Sequence, residues 1–207
     1  MTNQHPQRNP GVISSEMEQK PYIIGNLPSL DSRFARLFSA NALWVLASDL
    51  LGCSSEEVVF HFSNITRKPS LKYPAVGWHR DANNTYFATS DRRTLRFLLP
   101  LQTMSKVNSG TRIVVGSHLP GAAQTVKHES LICCPTVAPR SCLALHSEVL
   151  HGGSPNRTSV ERDVIVIQFG VATSKLLCQA NGVLSLAGKN AFLHFNLLSR
   201  NDLAPNL

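Results

Sequence analysis

The sequence predicts a mainly β protein, a sandwich or barrel preceded by one long helix. The middle of the chain carries many short runs rich in β-branched and aromatic residues, and Gly-, Pro- and Asn-rich spacers separate these runs. At 207 residues and 43% hydrophobic, the chain is long enough to bury a core within one domain.

The first predicted element is a helix from about Asp31 to Leu51. Apolar residues recur there at the spacing of one helix face, and Gly52 is placed to end the helix. Such a stripe is typical of packing against a sheet. Residues 1–20 are polar and carry neither an export signal nor an Arg-rich amphipathic segment. We therefore expect a flexible N-terminal arm over 1–20 and a single domain over 21–207.

Six strands are predicted after the helix, over residues 58–66, 94–101, 111–115, 130–134, 141–145 and 164–171. Spacers such as 106–110 and 118–121 have the composition of turns. The tail from Leu184 to Leu198 predicts a second helix packed outside, although Gly188 and Asn190 weaken the pattern.

Composition argues against several classes of protein. A membrane span needs about 18 consecutive apolar residues, and no such run occurs. The five cysteines form no spaced framework, and without an export signal we expect reduced thiols and a cytoplasmic location. The net charge of +7 is scattered in short pairs such as Arg67–Lys68 and Arg92–Arg93, and aromatic residues make up only 7%. These features argue against a nucleic-acid partner and leave an anionic small-molecule substrate open.

The candidate chemistry begins at His79-Arg80-Asp81. If this tripeptide lies on a strand, His79 and Asp81 project from the same face and Arg80 points away. Two imidazoles and one carboxylate form the open ligand set of mononuclear iron(II) oxygenases, and His151 can supply the third ligand. A structural zinc site would be closed and usually contain thiolates.

The tripeptide alone is weak evidence, because eight histidines and thirteen acidic residues produce such a match by chance fairly often. His79 could equally be an ordinary surface or core histidine, with Asp81 in a turn. His146, five residues before His151, is the rival for the third ligand.

The segment after His151 supports the metal-site interpretation. Gly, Ser, Pro and Asn predict a turn over residues 152–161, and an apolar strand follows. Arg162 falls at the start of that strand, where a guanidinium could bind the remote end of a dicarboxylate. The alternatives are a structural pairing of Arg162 with Glu161 or Asp163, and Arg157 as the binding arginine.

Four blocks, residues 64–69, 78–82, 108–118 and 151–162, resemble in order and spacing the phytanoyl-CoA dioxygenase-like family of iron(II)- and 2-oxoglutarate-dependent oxygenases. They lie within residues 58–171, a little over half of the chain. Val115 departs from the pattern, because the family usually has proline before Gly-Ser-His.

The resemblance implies a double-stranded β-helix, the cupin-like jelly roll, with its ligands at the open end. It implies Fe(II), 2-oxoglutarate and O2 as cofactor and cosubstrates, with His79, Asp81 and His151 as metal ligands. It places Arg162 at the remote carboxylate of 2-oxoglutarate, and Asn64 and Thr94 in the same pocket. Because Asp81 is intact, hydroxylation with release of succinate and CO2 is favoured over halogenation.

Substrate contacts are harder to place. Four residues flank the proposed metal site and could line a pocket, although core packing explains each equally well: Trp78, Tyr86, Phe87 and Arg96. The chain has little of the family's N-terminal helical region or late insertion, which predicts a shallow site, a compact substrate or a site completed by a partner subunit. A homo-oligomer therefore stays open.

Two other functions remain at this point. A nucleic-acid oxidative demethylase would use the same chemistry, and strongly salt-dependent oligonucleotide binding would identify it. A non-catalytic jelly roll with a vestigial metal site would fail to take up iron and 2-oxoglutarate.

Overall fold

The computed structural model describes residues 22–70, 75–83, 87–122, 129–179 and 186–193. The predicted arm over 1–20 lies outside these ranges. The described strands are β1 (Tyr22–Gly25), β2 (Val58–Lys68), β3 (Val76–His79), β4 (Phe87–Thr89), β5 (Thr94–Pro100), β6 (Thr111–Val114), β7 (Ile132–Cys133), β8 (Leu143–His146), β9 (His151–Gly153), β10 (Arg162–Val171), β11 (Leu176–Gln179) and β12 (Leu186–Ala187). The described α-helices are α1 (Leu27–Leu30), α2 (Ser32–Phe38), α3 (Asn41–Leu51) and α4 (Gly188–Leu193).

The strands form two main antiparallel sheets. The larger has the order β1-β2-β10-β5-β8, and β12 also pairs with β2. The smaller has the order β3-β9-β6-β7, and β11 pairs with β4 in a separate ribbon. Neighbours that are distant in the chain, such as β2 and β10, are expected of a double-sheet jelly roll. The predicted mainly β class is confirmed.

The larger sheet has two apolar faces because side chains alternate along each strand. One face carries Phe60, Phe97 and Phe169, which pack against Trp44 and Phe38 of the helices. The other face carries Val164 beside Met104 and Val137, with Leu98, Leu143 and Val166 at its margin. The second face lies inside the jelly roll and also bears the polar residues of the candidate site.

The prediction of a single long helix from Asp31 to Leu51 is wrong. The chain forms α2 and α3, bent by 49° about Ser39 and Ala40. Ala40 has an extended ψ of 124°, and the Trp44 indole donates a hydrogen bond of 2.9 Å to the Phe38 carbonyl. The bend lets both short helices follow the twisted sheet, which a periodic apolar pattern cannot reveal.

Most predicted strands occur, with shifted ends. The predicted turn after His151 begins later than expected, because Gly152 and Gly153 belong to β9. The segment predicted at 130–134 is a 3-10 turn followed by the two-residue β7. Of the predicted tail helix, Gly188–Leu193 is helical and the rest lies outside the described residues or in β12.

No single helix among the described residues is long and apolar enough to cross a membrane. The α2–α3 pair passes that test only jointly, as a bent pair, by length and composition.

Candidate metal and cosubstrate site

The structure brings His79, Asp81 and His151 together between the two sheets. His79 and His151 are direct partners across β3 and β9, and their ring centroids lie 4.3 Å apart. Asp81 Oδ1 lies 3.8 Å from His79 Nε2, and Asp81 Oδ2 lies 3.7 Å from His151 Nε2. The three candidate ligand atoms all lie within 4.8 Å of one another.

The expectation that His79 and Asp81 lie on one strand is wrong. β3 ends at His79, and Asp81 begins a 3-10 helix over Asp81–Asn83 instead of continuing a strand. The carboxylate is therefore delivered by the turn. Arg80 is buried, and its Nη1 donates to the backbone carbonyls of Ser117, at 2.7 Å, and of Glu148. These contacts tie the tripeptide to the loops before β9.

Both imidazoles present the same nitrogen to the carboxylate. Nδ1 of His79 lies 2.9 Å from the Gly77 carbonyl, and Nδ1 of His151 lies 2.9 Å from the Val149 carbonyl. A hydrogen bond from Nδ1 to a carbonyl fixes the tautomer that leaves the Nε2 lone pair for a metal. Burial lowers the pKa of His151, partly opposed by Asp81, and this favours the neutral ring that binds metal.

The residues fit a divalent ion. Both Asp81 carboxylate oxygens are buried, and Oδ2 accepts no hydrogen bond from the described residues. Ligands about 2.1 Å from one ion lie about 3 Å apart when adjacent, so the two separations between carboxylate and imidazole must contract by under about 1 Å. The imidazole nitrogens, within 4.8 Å of each other, must approach by up to about 2 Å. The His79 side chain, 45% exposed, has room to make that movement. Two histidines and one carboxylate match the open iron(II) ligand set.

A polar chain supports the carboxylate from the larger sheet. Arg96 Nη1 forms an ion pair of 2.6 Å with Asp81 Oδ1, and Arg96 Nε donates to Gln168 Oε1 at 2.9 Å. The Gln168 amide lies 3.3 Å from Nδ1 of the buried His61, whose pKa burial lowers to about 3. Neutral His61 therefore accepts this hydrogen bond. The chain occupies one oxygen of Asp81 and leaves Oδ2 beside His151.

Arg162 begins β10 and is 3% exposed. The two acidic residues considered as structural partners of Arg162 pair with Arg67 instead. Arg67 forms a two-point ion pair with Asp163, at 2.7 and 2.8 Å, and approaches Glu161 at 3.9 Å. Arg162 is instead paired in register with Lys68 on β2. Arg157, the rival arginine, is exposed.

The other two residues predicted to line the cosubstrate pocket, Asn64 and Thr94, lie on different strands of the larger sheet. Asn64 is buried on β2 at the position facing Val166, so it shares the inner face with Lys68 and Arg162. Thr94 is buried at the start of β5, two residues from Arg96 on the same face.

The four residues predicted to contact substrate lie in different surroundings. The Trp78 ring packs 4.8 Å from the Arg112 guanidinium, and Arg112 faces Gly152 on the side opposite His151. Arg96 is paired with Asp81 instead of lining an open pocket. Tyr86 lies outside the described residues, and Phe87 begins β4.

The rival histidine is not in the cluster. The His146 ring lies 6.3 Å from His118, next to β5. The described cysteine side chains, Cys53, Cys133, Cys134 and Cys142, are free thiols, as predicted.

Sequence reasoning missed Lys68 and Gln168. Both are buried polar residues within otherwise apolar strands, which is the signal that could have found them. For Lys68, alternation with Asn64 along one strand placed it on the same face.

Comparison with known proteins identifies the family. The family model described as phytanoyl-CoA dioxygenase (PhyH) matches residues 28–164. No curated protein matches the sequence. Several solved structures share the fold at low sequence identity, and such likeness supports the fold alone.

Three of these structures illustrate the range. The apo form of the non-heme monooxygenase ThoJ has a TM-score of 0.68 and 18% identity, covering 84% of this chain and 68% of that chain. Iron-bound EctD from S. alaskensis has a TM-score of 0.65 and 22% identity, covering 76% of this chain and 59% of that chain. The 2-oxoglutarate-dependent epimerase SnoN of nogalamycin biosynthesis has a TM-score of 0.62 and 18% identity, covering 77% and 65% respectively. With two thirds of its length matched by one family model and a His-Asp-His site of the expected geometry, this chain belongs to the phytanoyl-CoA dioxygenase family of non-heme iron, 2-oxoglutarate-dependent enzymes.

Proposed function

We propose that this protein hydroxylates a small organic substrate, using Fe(II), 2-oxoglutarate and O2 and releasing succinate and CO2. The observation that carries the proposal is the convergence of His79, Asp81 and His151 within 4.8 Å, with Arg162 buried on the inner face of the opposing sheet. When bound, iron and 2-oxoglutarate supply the oxidising chemistry, in which one oxygen atom of O2 enters succinate and the other the substrate.

The protein groups hold and orient the reactants. Two Nε2 atoms and Asp81 Oδ2 would hold the ion, because Nδ1 of each histidine and Oδ1 of Asp81 are already engaged. Arg162 binds the remote carboxylate of the cosubstrate through its planar guanidinium. The apolar side chains of Val164, Val166 and Leu98 on the same face exclude water.

A small substrate is favoured over nucleic acid by how the surface arginines are used. Arg33 pairs with Asp31 at 2.7 Å, and Arg92 pairs with Glu148 at 2.7 Å. Arg67 is engaged by Asp163. These pairs neutralise part of the positive charge that phosphate binding would need.

The test is anaerobic reconstitution with Fe(II) and 2-oxoglutarate, followed by exposure to O2 with a series of small metabolites. We expect a charge-transfer absorption band on adding 2-oxoglutarate, and succinate formation that rises with the right substrate. His79→Ala should reduce iron affinity by more than the roughly 10–100-fold that outer-shell changes cost. His146→Ala is the matched control and should retain iron.

The proposal fails if iron binds at the triad while neither the absorption band nor succinate appears. It also fails if His146→Ala loses iron and His79→Ala keeps it. Oligonucleotide binding that weakens steeply with salt would favour the demethylase alternative.

A further inference from the structure

We propose that the outer face of α3 is the contact surface of a homodimer, in which two copies of this chain pack their α3 helices antiparallel about a twofold axis. The partner is a second copy because the apolar and charged residues of this face are spaced to complement themselves. The inference does not depend on the proposed function, since α3 packs on the face of the larger sheet that lies opposite the candidate site.

The α3 helix is apolar on two sides. Trp44 and Ala47 are buried against the larger sheet. On the opposite side, Val45, Leu46 and Leu50 are 42%, 39% and 51% exposed. A helix that is apolar all round is normally covered on every side, and contiguous exposed apolar side chains mark contact surfaces. The outer side of α3 therefore needs a partner.

The exposed face consists of two neighbouring rows of side chains. Residues four apart lie on one row of a helix, so one row contains Asn41, Val45 and Asp49, and the next contains Leu46 and Leu50. Such rows interlock when two helices pack together. A twofold axis beside Val45 and Leu46, at the middle of α3, packs the apolar residues of each copy against those of the other.

The two ends of this face carry opposite charges. Asp49 is exposed near the end of α3, whereas Lys189 of α4 lies at its start, with Nζ 3.5 Å from Asn41 Oδ1. Neither charge forms a salt bridge with a described residue. Asn41 and Asp49 each lie four residues from Val45, about 6 Å along the axis. Antiparallel packing about Val45 thus brings Asp49 of each copy to Lys189 of the other.

Two other partners fit an apolar helix face less well. Helices that lie on an anionic membrane carry Lys and Arg beside the apolar face, whereas this face carries the carboxylate of Asp49. An unrelated protein would not require opposite charges at equal distances from Val45. That symmetry is a property of an interface between identical copies.

The experiment measures the oligomeric state of the full chain by sedimentation velocity. The protein is studied at about 1–300 μM, because an interface one helix wide lies below the standard size of about 1,200 Å² and is weak. Leu46→Asp places like charges at the twofold axis, and Leu177→Asp, at a 64% exposed leucine of β11, is the matched control. Asp49→Lys and Lys189→Asp each reverse one charge, and the double variant restores opposite signs. Circular dichroism checks that each variant is folded.

We expect a wild-type dimer with a micromolar Kd, which Leu177→Asp leaves unchanged and Leu46→Asp weakens by at least about 10-fold. Each single charge reversal should weaken the dimer by about 5–20-fold, because two exposed ion pairs become two like-charge contacts. The double variant should recover most of that loss.

A wild-type protein that stays monomeric at every concentration overturns the inference. The same holds if Leu46→Asp dimerises as well as the Leu177→Asp control, or if the double variant is as weak as the single reversals. A monomer that cosediments with phosphatidylserine–phosphatidylcholine vesicles, and loses this binding in Leu46→Asp, would assign the face to a membrane surface instead.

Discussion

Charged side chains line the inside of this protein, and their pairing differs between the two ends of the site. At the metal end, Asp81 is balanced by Arg96, whose ion pair leaves one carboxylate oxygen for an ion. At the other end, Lys68 and Arg162 face each other as two cations. An ion at the first end and a dianion spanning toward the second complement both groups of charges.

The His61 ring packs directly against the backbone of Gly170. A Cβ atom added there would lie 2.2 Å from Cε1 of His61 and 2.6 Å from its Nε2. The imidazole thus occupies the space that any larger residue would need, and it holds the Gln168 amide from that position.

We predict that Gly170→Ala destabilises the protein by about 1–3 kcal/mol, because the ring must move in a packed interior. His61→Ala in the same chain should relieve the clash, so the double variant should be more stable than the sum of the two single effects. Chemical denaturation followed by circular dichroism measures all three variants. Strict additivity would contradict a clash between these two positions.

The strand pair β2–β10 is the element that places Lys68 opposite Arg162. It is continuous from Arg162 opposite Lys68 to Val171 opposite Val58, apart from one bulge after Gln168. The register places Lys68, Asn64 and Arg162 on the inner face. A slip of β2 by one residue would move Lys68 and Asn64 to the helix-covered face. Arg67 and Asp163 clamp the register from the outer face.

The bend between α2 and α3 is the second feature on which the fold depends. The Trp44 indole, buried among the core aromatics, donates to the Phe38 carbonyl at the end of α2. This hydrogen bond pairs a carbonyl that the interrupted helix would otherwise leave buried and unpaired.

We predict that Trp44→Phe lowers the free energy of unfolding by about 2 kcal/mol, from the unpaired carbonyl and the lost ring volume. Trp78→Phe is the control, because its partly exposed ring contributes a cation–π contact worth about 0.5–1 kcal/mol. Urea denaturation followed by circular dichroism gives both values. An equal loss in the two variants would show that the indole hydrogen bond adds nothing.

At the scale of the whole molecule, burial of Lys68 links folding to pH. The pKa of Lys68 falls from its ordinary 10.5 to about 7 in the folded protein, chiefly through burial. Between these values the unfolded chain binds more protons than the folded one, so stability rises with pH. Below about pH 7 the cost of burying the charged ammonium is fully present, and it amounts to about 5 kcal/mol at most.

We predict that the metal-free protein gains stability between pH 6.5 and pH 9 relative to Lys68→Met, by a few kcal/mol. The comparison with the variant removes the contribution of every other titrating group. Unfolding free energies of the two proteins at both pH values provide the measurement. Parallel pH profiles would mean that the Lys68 amine keeps an ordinary pKa in the folded state.

The residue order by itself determined the class and the chemistry of this protein. Short β-branched runs with turn-rich spacers predicted a mainly β sandwich or barrel, and the family resemblance implied the jelly roll. The residue types at His79, Asp81 and His151 predicted the metal ligands. Such features can be read because alternation, turn chemistry and ligand preference are local properties.

Tertiary structure decided the rest. β3 ends at His79, and the 3-10 turn that follows positions the Asp81 carboxylate. Arg96 meets Asp81, and Lys68 meets Arg162, only because the register of antiparallel strands far apart in the chain aligns them. Pairing and register depend on the packing of both sheet faces together, and no local stretch of sequence contains that information.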